Sequence, residues 1–223
     1  MEIAFSREII EKLPEFRVLL ITADVTNAPT PDGLWDEIIR YGKEFSDTHV
    51  MADINKRPGI AGTRDAYKIL GKEPNRYRPS AEAMCRRFVK GNDLYRTLSL
   101  IDLVNLLSLK SGYSIGGFDS DKIVGDTLTL GVGEEGEPYE AIGRGQLNIA
   151  RLPVFRDNVG GIGTPTSDND RTKLSPDTKR ITITVNIYRE EMPISDTYSL
   201  AERLLTEYAS GKNITSAIFS THQ

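Results

Sequence analysis

Hydrophobic and polar residues follow two different periods along the chain, and the change falls near Gly112. Before that glycine, most segments have the spacing of helices. The exception is Phe16 to Asn27, whose aliphatic and β-branched residues predict a strand. Trp35 to Phe45 then shows helical spacing at Trp35, Ile38, Ile39 and Tyr41 or Gly42. The chain is therefore expected to begin with a strand followed by a helix.

Three further helices are predicted from their start and stop signals. Thr63 is a candidate cap for a short helix that ends at Leu70-Gly71. Pro79-Ser80 starts the next helix, which should stop at Lys90-Gly91. Ser99 to Lys110 is almost entirely apolar and is ended by Gly112, so this helix should be buried.

After Gly112 the period shortens to two, which is typical of strands. Short strands are predicted at Thr127–Leu130, Tyr139–Ile142 and Pro153–Phe155. Arg180 to Tyr188 alternates over its whole length, so its Ile and Val residues share one face. Its polar face carries Thr182, Thr184, Asn186 and Tyr188. A last amphipathic helix is expected from Ser195 or Asp196 to about Ala209.

Composition restricts the class of protein. The 223 residues are 39% hydrophobic and 27% charged, which is typical of a folded globular protein. No apolar run reaches the roughly 20 residues of a membrane span, and the first residues do not resemble a signal peptide. We therefore expect a cytoplasmic protein that does not contact a membrane.

Cysteine and histidine are too scarce to indicate a site. The single cysteine, Cys85, lies in a helical stretch and is interpreted as a core residue, although Arg86 and Arg87 could activate it. His49 and His222 are the only histidines, and His49 is a weak candidate for a general base. No metal site is expected.

Positive charge is concentrated in one segment. Residues 56 to 96 hold eleven Lys or Arg and four Asp or Glu, a net charge of +7, whereas the rest of the chain carries −11. Such a segment is either a phosphate-facing surface or a solvated helix face. Arg76, Arg78, Arg86 and Arg87 are the candidate RNA-binding residues, with one of the last two expected to pair with Glu82.

Polar residues inside apolar elements give the candidate pocket. Asp102 and Asn105 share one face of the apolar helix, so they either form a structural network or line a cavity. The turns Gly116-Gly-Phe-Asp119 and Gly160-Gly-Ile-Gly163 either approach a ligand or are plain turns. Phosphate-binding and dinucleotide motifs are lacking in the sequence, so no cofactor is expected.

Four motifs follow one another along the chain. They are Tyr77-Arg-Pro-Ser-Ala-Glu-Ala, Leu100-Ile-Asp-Leu-Val-Asn-Leu-Leu-Ser-Leu, Gly112-Tyr-Ser-Ile-Gly-Gly-Phe-Asp-Ser-Asp-Lys-Ile and Gly125-Asp-Thr-Leu. Their order and spacing resemble the B3/B4 family, the tRNA-editing domain of the phenylalanyl-tRNA synthetase beta subunit, and the resemblance runs from about Tyr67 to Tyr188.

The resemblance implies an α/β (α+β) fold in which a mostly antiparallel sheet from the second half packs against the Ser99–Lys110 helix. It also implies a free-standing single domain, with residues 1–62 as leader, 63–190 as core and 191–223 as C-terminal helix and tail.

The resemblance also implies an activity, because in the synthetase this domain hydrolyses tRNA wrongly charged with tyrosine. The family motif reads Gly-x-Pro-x-His-x-Phe-Asp. In this chain Ser114 stands at the position of its proline and Gly116 at the position of its histidine. The family's glutamate that recognises tyrosine aligns with Thr184. This chain therefore lacks both the family's pocket histidine and the glutamate that recognises the tyrosine hydroxyl. The residues expected to line the substrate pocket are Asp102, Asn105, Gly116, Gly117, Asp119, Gly161 and Thr184.

Three functions remain open at this point. The first is a trans-acting hydrolase of mischarged aminoacyl-tRNA. The second is a non-catalytic module that binds RNA or aminoacyl-tRNA. The third is a pocket for a free amino acid or a similar metabolite. The expected partner is tRNA or aminoacyl-tRNA rather than DNA, and the oligomeric state stays open.

Overall fold

A computed structural model describes residues 1–222 as a mixed α/β fold. The helices are α1 Arg7–Lys12, α2 Asp32–Thr48, α3 Pro58–Leu70, α4 Ser80–Val89, α5 Ser99–Ser111 and α6 Ile194–Ala209. The strands are β1 Glu2–Phe5, β2 Arg17–Asp24, β3 Ser114–Asp119, β4 Thr127–Val132, β5 Glu140–Ala141, β6 Gly145–Gln146, β7 Pro153–Arg156, β8 Gly161–Gly163, β9 Arg180–Ile187 and β10 Lys212–Ser220.

The first sheet, called sheet I, has the strand order β10-β2-β9-β3 and is antiparallel throughout. Leu20 of β2 lies opposite Thr184 of β9, and Thr184 in turn lies opposite Gly116 of β3. The expected antiparallel pairing is confirmed. The expectation that the sheet comes from the second half of the chain is wrong, because β2 belongs to the first half and occupies a central position.

The second sheet, sheet II, has the order β1-β4-β7-β8. Its β1 and β4 are parallel, while the other pairs are antiparallel. A two-stranded hairpin of β5 and β6 lies apart from both sheets.

The core consists of two apolar layers on the two faces of sheet I. On one face, Leu19, Ile183 and Val185 pack with the helices, including α5. On the other face, Val18 and Leu20 pack with residues of sheet II. Because α5 supplies fully buried leucines to the first layer, the prediction of a buried helix is confirmed.

Helix ends follow the predicted signals at four of five positions, one of which is the start of α4 at Pro79-Ser80. Gly71, Gly91 and Gly112 have φ values of 86°, 75° and 76°, so each adopts the left-handed conformation that ends a helix. Thr63 is not a cap. Its hydroxyl donates to the carbonyl of Gly59 at 3.0 Å inside α3, which begins at Pro58 because proline suits the first helical turn.

The polar face of β9 is buried rather than exposed. Asn186 donates its side-chain amide to the carbonyl of Ser114 at 2.9 Å, and the hydroxyls of Thr182 and Ser120 lie 2.8 Å apart. The Thr184 hydroxyl has no hydrogen-bond partner within residues 1–222. These groups lie on the face of sheet I that packs toward sheet II.

The segment after α6 forms a strand where a tail was expected. β10 adds to the edge of sheet I, pairing with β2 from Ser220 at Arg17 to Thr215 at Thr22. Most of its side chains are exposed. Across residues 1–222, no helix is both long and apolar enough to cross a membrane.

Candidate functional site

A cavity of about 290 Å³ opens between α4, α5, β3 and the loop of residues 164–174. Its walls are mostly apolar, and the polar groups are few. The apolar side chains are Met84, Ile101, Val104, Ile115, Ile142 and Leu174. The polar lining consists of Ser80, Asn105, Ser108, Gly117, Thr164, Ser167, Asp168 and Lys173. An apolar pocket with a few convergent polar groups is the usual form of a small-ligand site.

Asp168 is the ionisable group that distinguishes this cavity. One of its oxygens, Oδ2, accepts a hydrogen bond from the backbone N–H of Gly117 at 3.1 Å. The other oxygen sits so close to Gly163 that an added Cβ there would lie 3.0 Å from it. Glycine at position 163 therefore leaves space for the carboxyl group against the strand.

Burial raises the pKa of Asp168 to about 7, and the Gly117 N–H only partly opposes this rise. The carboxyl group makes no ion pair with any residue in 1–222. Lys173 also lines the cavity, but its ammonium group is 2.8 Å from Oδ1 of Asp170. Asp168 thus presents an uncompensated acidic group to the cavity.

Asn105 is a polar group on the cavity wall whose side chain lacks a protein partner within residues 1–222. It projects from α5, and no hydrogen bond from its side chain to any residue in 1–222 is present. The nearby Ser108 differs, since its hydroxyl donates to the carbonyl of Tyr113. The Asn105 amide is therefore free to bind a ligand or a water molecule.

An open groove lies on the other side of Met84. Basic side chains from α4 and its flanks dominate this groove, and Met84 lines both the groove and the cavity. The two spaces therefore adjoin across a single side chain. The groove residues are Arg78, Ala83, Met84, Arg86, Arg87, Lys90 and Asn92.

A buried carboxylate fixes the arginines of the groove. Glu82 is fully buried; it accepts hydrogen bonds from Arg64 at 2.8 Å and Arg86 at 2.7 Å. Arg78 is a third partner, 3.5 Å away. Three guanidinium groups surround one carboxylate, so this cluster carries a net charge of +2, and two of its arginines, Arg78 and Arg86, line the groove.

The four candidate RNA-binding arginines are not equivalent. Arg78, Arg86 and Arg87 line the groove, whereas Arg76 lies outside it, 5.8 Å from the ring of Tyr77. Arg86 makes the expected pair with Glu82 and still faces the groove. Arg87 donates to the carbonyl of Asp93 and stacks on the ring of Tyr95, 4.4 Å away.

The seven residues expected in a substrate pocket are separated by the fold. Asn105 and Gly117 line the cavity. Gly116 and Thr184 are neighbours in sheet I and face the layer between the sheets, and an added Cβ on Gly161 would meet the ring of Tyr139. Whether the seven contribute to substrate binding stays a prediction.

Both aspartates of that set belong to structural networks. Asp102 accepts hydrogen bonds from the backbone N–H and hydroxyl of Thr97, at 2.9 and 3.0 Å, and from Thr30. Asp119 accepts from the Thr178 hydroxyl at 2.9 Å. Their oxygens tie loops to α5 and β3. Of the two interpretations of Asp102, a structural network or a cavity wall, the structure therefore shows the network.

Sequence reasoning missed Asp168 and found no catalytic role for Cys85 or His49. Cys85 is buried; burial raises the pKa of its thiol to about 11, as expected for a core cysteine. His49 stacks on the ring of Phe45. Cys85 and His49 are both absent from the residues that line the cavity. For Asp168, the one signal was its place in a turn just after Gly163.

The fold and site define a mixed α/β protein with a small cavity beside a cationic groove. The chain belongs to the B3/4 domain family, whose model matches residues 62–202. It is similar to a crystal structure of an N-terminal fragment of the phenylalanyl-tRNA synthetase beta-subunit from Pyrococcus horikoshii. The identity is 13% and the TM-score 0.48, and the match covers 97% of this chain. The chain spans about half of that fragment, 53%. No curated protein matches it.

Proposed function

We propose that this protein hydrolyses the ester bond of mischarged aminoacyl-tRNA, acting in trans on tRNA that a synthetase has released. The observation that carries the proposal is the shared wall at Met84, which joins a cavity of amino-acid size to an arginine-lined groove. An aminoacyl-tRNA has the same two parts, a small acyl group and a polyanion. Membership of the B3/4 family supports this assignment. Charged tRNA is used in the cytoplasm, where we place the activity.

The cavity suits the acyl group. Its volume of about 290 Å³ lies at the lower end of the roughly 300–1,000 Å³ of small-ligand sites, so it accommodates one amino acid rather than a nucleotide. The walls from Ile101, Val104 and Leu174 favour an apolar side chain. In this arrangement Asn105 and Gly117 are the two of the seven candidate residues that contact the acyl group.

The groove suits the phosphates of the acceptor end. Arginine forms bidentate hydrogen bonds with phosphate, and each cation that neutralises a phosphate releases a counterion and so adds affinity. Arg86 is held in place by Glu82, and Arg87 by Tyr95 and Asp93. Preformed positions reduce the entropy lost on binding.

Hydrolysis in this cavity requires a water molecule held near the ester carbonyl. The free amide of Asn105 and the hydroxyls of Ser80 and Ser167 are the neutral polar groups available to hold it. Attack of that water breaks the ester into a free amino acid and a tRNA with a free terminal hydroxyl.

The first test is release of amino acid from a panel of aminoacyl-tRNAs, each measured against its spontaneous hydrolysis. We expect catalysed release from tRNAs that carry a small or apolar amino acid and much less from those with a charged one. Replacing Asn105 by Ala should reduce the rate. Spontaneous rates throughout the panel would contradict the proposal.

The second test concerns the groove. Arg78→Gln and Arg87→Gln should weaken tRNA binding and flatten the slope of log affinity against log salt by about one for each phosphate that the variant no longer binds. Arg7→Gln is the matched control, because Arg7 lies on α1 and does not line the groove. An unchanged slope in the groove variants would place tRNA elsewhere.

Two other functions are favoured by single observations. The absence of both histidines from the cavity lining favours a module that binds aminoacyl-tRNA without hydrolysing it. The unpaired carboxyl group of Asp168 favours a pocket for a free amine metabolite. Salt-sensitive tRNA binding without hydrolysis would support the first alternative. Binding of a free amino acid with no affinity for tRNA would support the second.

A further inference from the structure

We propose that Asp168 is the counter-ion for the α-ammonium group of the bound aminoacyl ester. The protein would then act on aminoacyl esters with a free amine and reject esters whose amine is acylated. This role rests on the proposed hydrolysis of aminoacyl-tRNA. It assigns to that site a specificity residue and a substrate class, the unblocked α-amino acid esters.

No cation lies beside Asp168 in the part of the chain that is described. Its hydrogen bond to a protein group comes from Gly117 N–H, and this bond uses one oxygen. The other cavity-lining charge, Lys173, is held by both oxygens of Asp170, at 2.8 and 3.0 Å. Oδ1 of Asp168 therefore remains free to accept from a ligand.

The remaining wall of the cavity offers Asp168 no compensating charge. Apart from Asp168 and the paired Lys173, every lining side chain is neutral, and six of them are large and apolar. A carboxylate in such surroundings is costly unless a positive charge compensates it. A ligand with a compact cation and an apolar body supplies that charge, and an α-amino acid ester has both.

Space around Asp168 is limited as well. Acylation of the amine removes its positive charge and adds at least an acetyl group. The cavity of about 290 Å³ is of the size of one amino acid, and on the side of Asp168 it is bounded by Gly117 and Gly163. An acylated amine would place neutral bulk against the carboxyl group.

A general-base role for Asp168 makes a different prediction. A base that activates water would lower the turnover of every ester when removed, whatever the state of the amine. Removal of a counter-ion would lower kcat/KM for esters with a free amine and leave kcat/KM for N-acylated esters nearly unchanged. The ratio of the two substrates therefore separates the two roles.

The experiment compares one aminoacyl-tRNA with its N-acetylated form, in the unmodified protein and in Asp168→Asn. After correction for spontaneous hydrolysis, the unmodified protein should prefer the free amine by about 10- to 100-fold in kcat/KM, the range expected for a hydrogen-bonded charge. Asp168→Asn should reduce this preference to near unity. Asp177→Asn, which removes an exposed carboxylate that does not line the cavity, should keep it.

A binding arm keeps the proposal testable without turnover. An apolar amino acid amide and its N-acetyl derivative are titrated against the protein by calorimetry, and the free amine should bind at least about tenfold more tightly. Equal hydrolysis of both esters would overturn the counter-ion role and leave the hydrolase proposal intact. Amine-selective binding without hydrolysis would support the counter-ion role and overturn the hydrolase proposal. Equal binding of both amides would also overturn the counter-ion role.

Discussion

Asp168→Asn should make the protein more stable at neutral and alkaline pH. The pKa of Asp168 is raised by burial from its ordinary 3.8 to about 7, so the folded state binds the proton more tightly than the unfolded state. Stability from this group is fully present below about pH 3.8 and is lost as the pH rises through about 7. Asparagine keeps an acceptor for the Gly117 N–H and never becomes charged.

The size of the effect follows from the interval between the two pKa values. At about 1.4 kcal/mol for each pH unit, the interval from 3.8 to about 7 gives an upper bound of about 4 kcal/mol. Asp168 is half-buried by its accessible surface, so solvent reduces this figure. The difference in free energy of unfolding between the variant and the unmodified protein should therefore grow by about 2–3 kcal/mol in favour of the variant as the pH rises from about 4 to about 8.

Urea unfolding at several pH values across this range measures the difference directly. All other titrating groups are common to both proteins, so their contributions cancel in the comparison. Asp177→Asn is the control, since Asp177 is exposed and lies outside the cavity lining, so its replacement should change stability by at most about 0.5 kcal/mol. Parallel stability curves for Asp168→Asn and the unmodified protein would refute a raised pKa at Asp168.

Three other substitutions or modifications test the core and the groove. Glu82→Gln should destabilise the fold by about 3–5 kcal/mol in urea unfolding, because it leaves three arginines around a neutral side chain; no loss would show that Glu82 does not hold them. Gly42→Ala should lower stability by about 1–3 kcal/mol although alanine favours helices, since its Cβ would clash with the Phe88 ring; a gain in melting temperature would contradict this. Cys85 should react with a thiol reagent at the rate of unfolding, since it is buried and its thiol pKa is raised to about 11; rapid labelling of the folded protein would disprove its place in the core.

The elements with strong periodicity were predictable from the sequence. β9 alternates over eight residues and α5 is apolar on all sides, so burial and secondary structure agree locally. β10 was missed because its residues are mostly exposed and its partner β2 lies near the other end of the chain. An exposed edge strand leaves little local signal, since its main constraint is the strand beside it.

The candidate site was predictable only where a residue differs from its neighbours on its own element. Asn105 is polar in an apolar helix, and Gly117 lies in a glycine pair, so both could be chosen from the sequence. Asp168 could not, because its environment comes from Gly117, 51 positions earlier, and from the cavity walls of α4 and α5. Asp102 shows the converse, since its buried oxygens are used by neighbouring threonines.

The strand order of sheet I shows that the unit that must fold is longer than the segment that defines the family. The family model covers residues 62–202, yet β2 and β10 both lie outside those bounds. A gene fragment cut at the family bounds would retain β9 and β3 and leave one long edge of β9 without its neighbour. Such an unpaired edge joins readily to other chains, so the excised piece would aggregate where the longer chain does not. Domain swaps and expression trials on this protein should therefore keep residues 2–221, because β1 covers the edge of β4 and Ile3 and Ile9 fill the apolar layer between the two sheets.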